Sequence, residues 1–207
     1  MNDFDGYVLA GGASRRMGRA KANLRLGGKT FVERAANALS AISPKRLLVV
    51  GNLLEMPPGL SALPDKFNTE NAGQTRGSII GLHAALSDAR NDWAAALACD
   101  LPFVCGELFR KLASSSRKDF DAVVPLQNDD RPQPLCALYR AGTCLPVIEK
   151  MLGEENWKLR NLLQSVKTRF VSFDEISDLP HAEHFFFNVN TPEDFREAQM
   201  IENSLGS

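Results

Sequence analysis

Six cations and no anion lie between Asp5 and Glu33: Arg15, Arg16, Arg19, Lys21, Arg25 and Lys29. A solvated basic face ordinarily mixes the two signs, and the whole chain carries a net charge of only −1. So local an imbalance calls for an anionic counterpart. Gly11-Gly12, just upstream, says how the anion would approach, because residues without Cβ let backbone N–H groups close on a ligand. Arginine forks and a lysine point charge then suit phosphate oxygens. The spacing is neither G-x-x-x-x-G-K-[ST] nor G-x-G-x-x-G, which excludes a Walker P-loop and a dinucleotide fingerprint.

Asp100 is the second chemical element. It directly follows the apolar run Trp93–Ala98, so a strand would deliver its carboxylate to the end of the sheet that carries the glycine turn. A hard cation bridging triphosphate oxygens needs one or two such carboxylates, with water in its other positions. The competing assignment is an acidic cap for a helix after Pro102.

The positioning elements follow from periodicity. Gly6–Ala10 and Leu47–Val50 read as buried strands ended by glycine, Trp93–Ala98 as a third, and Asp121–Pro125, Leu135–Tyr139 and Phe185–Val189 as later ones. Thr30-Phe-Val-Glu33 has capping-box spacing for a helix to Ala41. Further helices are expected from Ile79 to Ala89, near Leu108–Ser114 and over Thr143–Leu152. Thr191-Pro192-Glu193-Asp194 opens a last one. Strand and helix alternate, so the expected fold class is α/β: a mostly parallel twisted sheet with helices on both faces. Met56–Thr75 reads as an irregular surface loop long enough to be a lid or active-site loop.

At 207 residues the chain suits one domain, and a globule of this size buries roughly 70 % of its unfolded surface. Cys99, Cys105, Cys136 and Cys144 form no C-x-x-C pair and read as reduced, buried thiols. No apolar run reaches the roughly 20 residues of a membrane span, and the first residues lack the regions of a signal peptide. A cytoplasmic location is expected, with neither nucleic acid nor membrane as partner. His181 and His184 read as surface residues and His83 as structural.

Leu9-Ala-Gly-Gly12, followed by Arg16-Met17-Gly18 and Lys21, resembles the signature of the molybdenum cofactor guanylyltransferase (MobA) family, nucleotidyltransferases with a Rossmann-like fold of the glycosyltransferase-A type. Three later segments fit in order. Gly77-Ser-Ile-Ile-Gly81 before a helix is similar to that family's Gly-Pro-Leu-x-Gly segment. Cys99-Asp100-Leu101-Pro102 is similar to its Cys-Asp-x-Pro metal motif. Phe187-Asn188-Val-Asn190-Thr-Pro is similar to its Asn-x-Asn-Thr-Pro motif. Together they span residues 9 to 194. Ala20, Ser78 and Gln133 depart from the family pattern, which commonly has aspartate, proline and histidine there.

The resemblance implies that Leu9, Ala10, Gly11 and Gly12 line the nucleotide site. Lys21 and Asp65 would contact the nucleotide, and Asp100 would hold Mg²⁺. Asn188 and Asn190 would face the pterin, the N-terminal half binding nucleotide and the C-terminal half the acceptor. On a strand these two asparagines project to one side; on residue chemistry alone they equally suit a turn before the helix cap. The implied reaction moves GMP from GTP to molybdopterin, with Asp100, Lys21 and Arg16 as its catalytic groups and pyrophosphate as the leaving group. Transient contacts with cofactor-insertion and acceptor enzymes are expected. A CTP-dependent pterin cytidylyltransferase, a sugar-phosphate nucleotidyltransferase and a non-catalytic nucleotide-binding module are the alternatives.

Overall fold

The computed structural model describes residues 3–11, 21–51, 53, 55–64, 74–116 and 118–206. Gly12, Arg16 and Asp65 lie outside the described residues, and of Lys21 only the backbone is described. The first half runs β1 (Phe4–Leu9), β2 (Arg25–Leu26), β3 (Lys29–Thr30), α1 (Phe31–Ser40), β4 (Arg46–Val50), β5 (Ser61–Leu63) and α2 (Gln74–Asp88). Then come β6 (Trp93–Ala98), α3 (Gly106–Ser115), β7 (Ala122–Pro125), β8 (Cys136–Arg140) and α4 (Ala141–Gly153). The last elements are α5 (Leu159–Ser165), β9 (Thr168–Val171) and α6 (Pro192–Leu205).

Seven strands form one sheet in the order β5-β4-β1-β6-β8-β7-β9, while β2 and β3 make a separate hairpin. Every strand of the large sheet runs parallel to β1 except β8, which is antiparallel to both of its neighbours. The mostly parallel α/β fold expected from the alternation is therefore the fold observed. Side chains alternate across β6. Trp93, Ala95 and Leu97 pack with α1, α3 and α6, whereas Ala94 and Ala96 pack with α2, α4 and α5. A strand buried on both faces has no polar register, which is why β6 reads as an unbroken apolar run.

The capping box expected at Thr30 is present, and a second box forms at Thr191, where a cap residue followed by proline opens the last helix. Thr30 N–H donates to Glu33 Oε2 (2.6 Å) and Glu33 N–H to Thr30 Oγ1 (3.1 Å). The Thr30 backbone first, and then its side chain, by hydrogen bonding to the Glu33 carboxyl, hold it below its ordinary pKa. The second box joins Thr191 and Asp194, with Pro192 at the first helical position.

Three expectations need correction. Phe185–Val189 is not a strand: Phe185 and Phe186 turn, and residues 187–190 belong to no helix or strand. Phe185 and Val189 are buried by packing onto the end of the sheet, so their apolar character reflects burial rather than strand pairing. Met56–Thr75 is not irregular throughout, since Ser61–Leu63 pairs parallel with β4 and α2 has begun by Gln74. Three residues are too few to carry a period. Gly77–Gly81 lies inside α2 rather than before it. Ser78 has the backbone N–H that a proline would lack, so the helix can pass through it.

Asp5 closes the amino end of β1. Fully buried, it accepts hydrogen bonds from Arg90 N–H (2.7 Å), Asn91 N–H (3.0 Å) and Asn91 Nδ2 (2.9 Å). Asp5→Ala strands these buried donors and is expected to destabilise the fold by about 2–4 kcal/mol. Urea denaturation should show a lower midpoint at unchanged slope.

Candidate active site

The carboxyl edge of the sheet is organised by short backbone bonds between neighbouring strand ends. As β1 ends, Ala10 N–H donates to Val50 C=O (2.9 Å) on one side, and Leu9 C=O accepts from Cys99 N–H (3.1 Å) on the other. The Leu9–Gly11 turn therefore lies between the ends of β4 and β6, beside Asp100. Gly11 is exposed, and a Cβ there would meet nothing within 4 Å. Gly51 supports the turn from behind. It adopts φ +123°, and a Cβ would come within 3.0 Å of Gly11 N and 3.2 Å of Ala10 C. Only glycine allows both that conformation and that approach.

Asp100 is half-buried, and its backbone C=O accepts from Val189 N–H (3.0 Å). It does not cap the following helix, because α3 begins at Gly106 with Cys105 in the cap position. An open cleft of about 290 Å³ starts at Asp100 and is lined by Asn188, Ser78, Gln133, Trp157 and Lys158 among others. Asp100 and Asn188, 88 residues apart in sequence, thus share one cleft. Asn190 is exposed, and its backbone N–H donates to Asp194 Oδ2 (2.8 Å) within the helix cap. The strand-alternation argument for pairing the two asparagines falls with the strand itself.

Trp157 and Lys158 were not singled out by the sequence reading. Their signal is an aromatic and a cation adjacent in the polar connection between α4 and α5, the kind of loop where ligand contacts concentrate. Gln133-Pro134 reaches the cleft from the loop before β8. Tyr139 O–H donates to Pro134 C=O (2.6 Å) and Cys136 N–H to Gln133 C=O (3.0 Å), which fixes that loop.

No group of three or more His, Cys, Asp or Glu able to hold a metal occurs among the described residues. A carboxylate such as that of Asp100 fits Mg²⁺, which keeps waters and shares coordination between one or two carboxylates and substrate phosphates.

The histidines and Cys105, Cys136 and Cys144 do not line the cleft. His83 is half-buried on α2, with Nε2 3.9 Å from Glu149 Oε1; burial lowers its pKa and Glu149 opposes this. His181 is exposed, whereas His184 packs its ring on Phe103 at 5.8 Å. None of the four cysteines forms a disulfide among the described residues. Burial raises the pKa of Cys105 and Cys136 and pushes Cys144 up to about 12, so these thiols are poor nucleophiles.

A parallel sheet that sets Leu9–Gly11 beside the Asp100 carboxylate, with a cationic stretch next in the chain, defines a nucleotidyltransferase type of protein. Residues 6–170 match the MobA-like NTP transferase domain. A probable molybdenum cofactor guanylyltransferase of Pelotomaculum thermopropionicum is 37 % identical over 96 % of this chain and 94 % of its own length. One from Carboxydothermus hydrogenoformans is 34 % identical, covering 97 % and 98 %. The crystal structure of molybdopterin-guanine dinucleotide biosynthesis protein A from Archaeoglobus fulgidus superposes with a TM-score of 0.76. It is 26 % identical, over 97 % of this chain and 99 % of that one. The chain belongs to the MobA-like NTP transferase family.

Gly51→Ala tests the support of the glycine turn. Forcing a β-carbon into that φ costs about 1–3 kcal/mol, and relief of the contact would displace Ala10 and Gly11. The melting temperature should fall, and the further stabilisation produced by saturating GTP should shrink.

Proposed function

We propose that this chain transfers GMP from GTP to molybdopterin, forming the guanine dinucleotide form of the cofactor and releasing pyrophosphate. One observation carries the reading: the glycine turn and Asp100 lie side by side, and the Trp157–Asn188 cleft opens from Asp100. A reaction joining two phosphorylated substrates needs two such half-sites meeting at one metal position. The names of the full-length relatives point to guanine and to molybdopterin.

In this assignment Leu9, Ala10, Gly11 and Gly12 receive the nucleotide, with Asp65 contacting it and Lys21 and Arg16 neutralising its phosphates. The acceptor half comprises Asn188, Gln133, Trp157 and Lys158, with Asn190 at its rim. Asp100 would hold Mg²⁺, which would neutralise charge on the triphosphate and on the departing pyrophosphate. The terminal phosphate of molybdopterin attacks the α-phosphorus of GTP in line. A P–O bond forms there, the bond to the β-phosphate oxygen breaks, and pyrophosphate leaves with that electron pair. The nucleophile is already ionised at neutral pH, so no general base is needed. Rate enhancement then comes from positioning and charge neutralisation. A location in the cytoplasm and transient docking to cofactor-insertion and acceptor enzymes belong to the same proposal. No helix among the described residues is long and apolar enough to cross a membrane.

Incubation with molybdopterin, Mg²⁺ and each nucleoside triphosphate, followed by detection of dinucleotide and pyrophosphate, should give product with GTP. Preferential use of CTP would reassign the chain to pterin cytidylyl transfer, and release of no pyrophosphate would make it a binding module. Asp100→Asn should lower kcat by about 10²–10³-fold, equivalent to several kcal/mol of charge stabilisation. On the acceptor side, Trp157→Ala should raise KM for molybdopterin about tenfold while leaving KM for GTP nearly unchanged. That is the scale of losing one aromatic stacking partner.

A further inference from the structure

Arg34, on α1, lies outside both half-sites yet touches the hairpin after Lys21 and the loop after Asp100, and it meets the Asn188 segment indirectly, through Phe103 and α6. Its Nε donates to Pro102 C=O (2.8 Å), two residues beyond Asp100. Nη1 donates to Leu26 C=O (3.0 Å), in the hairpin that follows Lys21 in the chain. Nη1 and Nη2 also form a two-pronged pair with Glu202 Oε1 and Oε2, both at 2.8 Å. Glu202 belongs to α6, the helix that begins directly after Asn188–Asn190. The guanidinium further lies 5.9 Å from the centroid of the Phe103 ring, and Phe103 meets Phe187 edge to face at 6.1 Å. Phe187 immediately precedes Asn188.

The surroundings are built around this arrangement. Gly27, at φ +56°, forms the hairpin turn against Glu202, and a Cβ there would collide with Glu202 Oε1. The Arg34 and Glu202 side chains are only 19 % and 23 % exposed, which places the pair among the shielded, geometrically fixed ones rather than the weak surface class. Lysine carries the same charge but lacks the planar fork that reaches these acceptors together.

We infer that Arg34 is a positioning residue: one guanidinium holds the Lys21 hairpin, the Asp100 loop and the Asn188 segment in register. The inference builds on the guanylyl-transfer reading, because it assigns Lys21 and Asp100 to the triphosphate and Asn188 to the acceptor. Arg34 itself touches no substrate. Its loss leaves each half-site intact and misaligns them relative to one another.

The test compares wild type with Arg34→Lys by amide hydrogen exchange, melting temperature and steady-state kinetics. In the folded variant, exchange should accelerate together in peptides covering 22–28, 101–104 and 187–191. Turnover should fall by up to about 10²-fold, the cost of misplacing reacting groups by about 1 Å, while KM for GTP changes little. A folded Arg34→Lys protein with wild-type kcat, or with faster exchange in only one of the three segments, overturns the inference. If Arg34→Lys does not fold, Glu202→Gln supplies the measurement, since it keeps the side-chain shape and weakens only the α6 arm. Exchange should then rise in both 22–28 and 187–191, and wild-type exchange in both overturns the inference. Absence of GMP transfer by the wild type would refute the functional reading separately, because the exchange measurement reports the clamp without turnover.

Discussion

The parallel register of β1 and β6 is the constraint on which the site depends. Leu9 lies opposite Ala98, and the ladder continues one step past the strands as Cys99 N–H reaches Leu9 C=O. A slip of one residue would turn every β6 side chain to the opposite face, exchanging Leu97 and Ala96 between two differently shaped cores. Because both strands point the same way, their following loops emerge at one edge, where a glycine turn and a carboxylate can face one ligand. β4 adds Gly51 at that edge for the same reason.

The antiparallel strand β8 extends this arrangement. A strand running against its neighbours begins at the edge where they end, so the loop before β8, rather than the loop after it, meets the cleft. Ala98 N–H donates to Leu135 C=O (2.7 Å), which draws Gln133-Pro134 alongside Asp100. After β9 the chain returns to this edge ahead of α6, and the bond from Val189 N–H to the Asp100 carbonyl brings Asn188 into the same cleft. Three loops far apart in sequence therefore meet at one carboxylate through backbone bonds. That association is insensitive to which side chains line the cleft, leaving those side chains available for recognition.

Legibility in the sequence followed the range of the determining force. β6 was readable to the residue because burial on both faces makes an apolar run that nothing interrupts. The caps at Thr30 and Thr191 were readable because their partners lie three residues away. Asp100 could be assigned to the edge of the sheet because it directly follows the unbroken apolar strand Trp93–Ala98. The direction of β8 was not readable, since parallel and antiparallel partners present the same apolar face. Helix α5 and strand β9 were not anticipated; half of β9's side chains are partly buried, which blurs its period. Phe185–Val189 shows the opposite failure, because its apolar residues answer to the sheet's end and the Phe103 ring rather than to a neighbouring strand. Trp157 and Lys158 gain meaning only when the α4–α5 connection is seen beside Asp100.

The distribution of reactive groups bears on how such a site can work. The histidines lie on α2 or around the Phe103 cluster, the buried thiols resist ionisation, and the described cleft carries Asp100, amides, an indole and a lysine. Proton abstraction by a side chain is poorly served by that set; alignment of two anionic substrates is well served. Alignment cannot reside in a single contact, because the half-sites come from different stretches of chain and each could shift as a unit. The bonds that tie one stretch to another therefore set how those stretches face each other. Val189 to Asp100 is one such tie and Cys99 to Leu9 another. Both join backbone to backbone, so substitution cannot easily remove them, whereas the guanidinium of Arg34 is a tie that a single side-chain change can release.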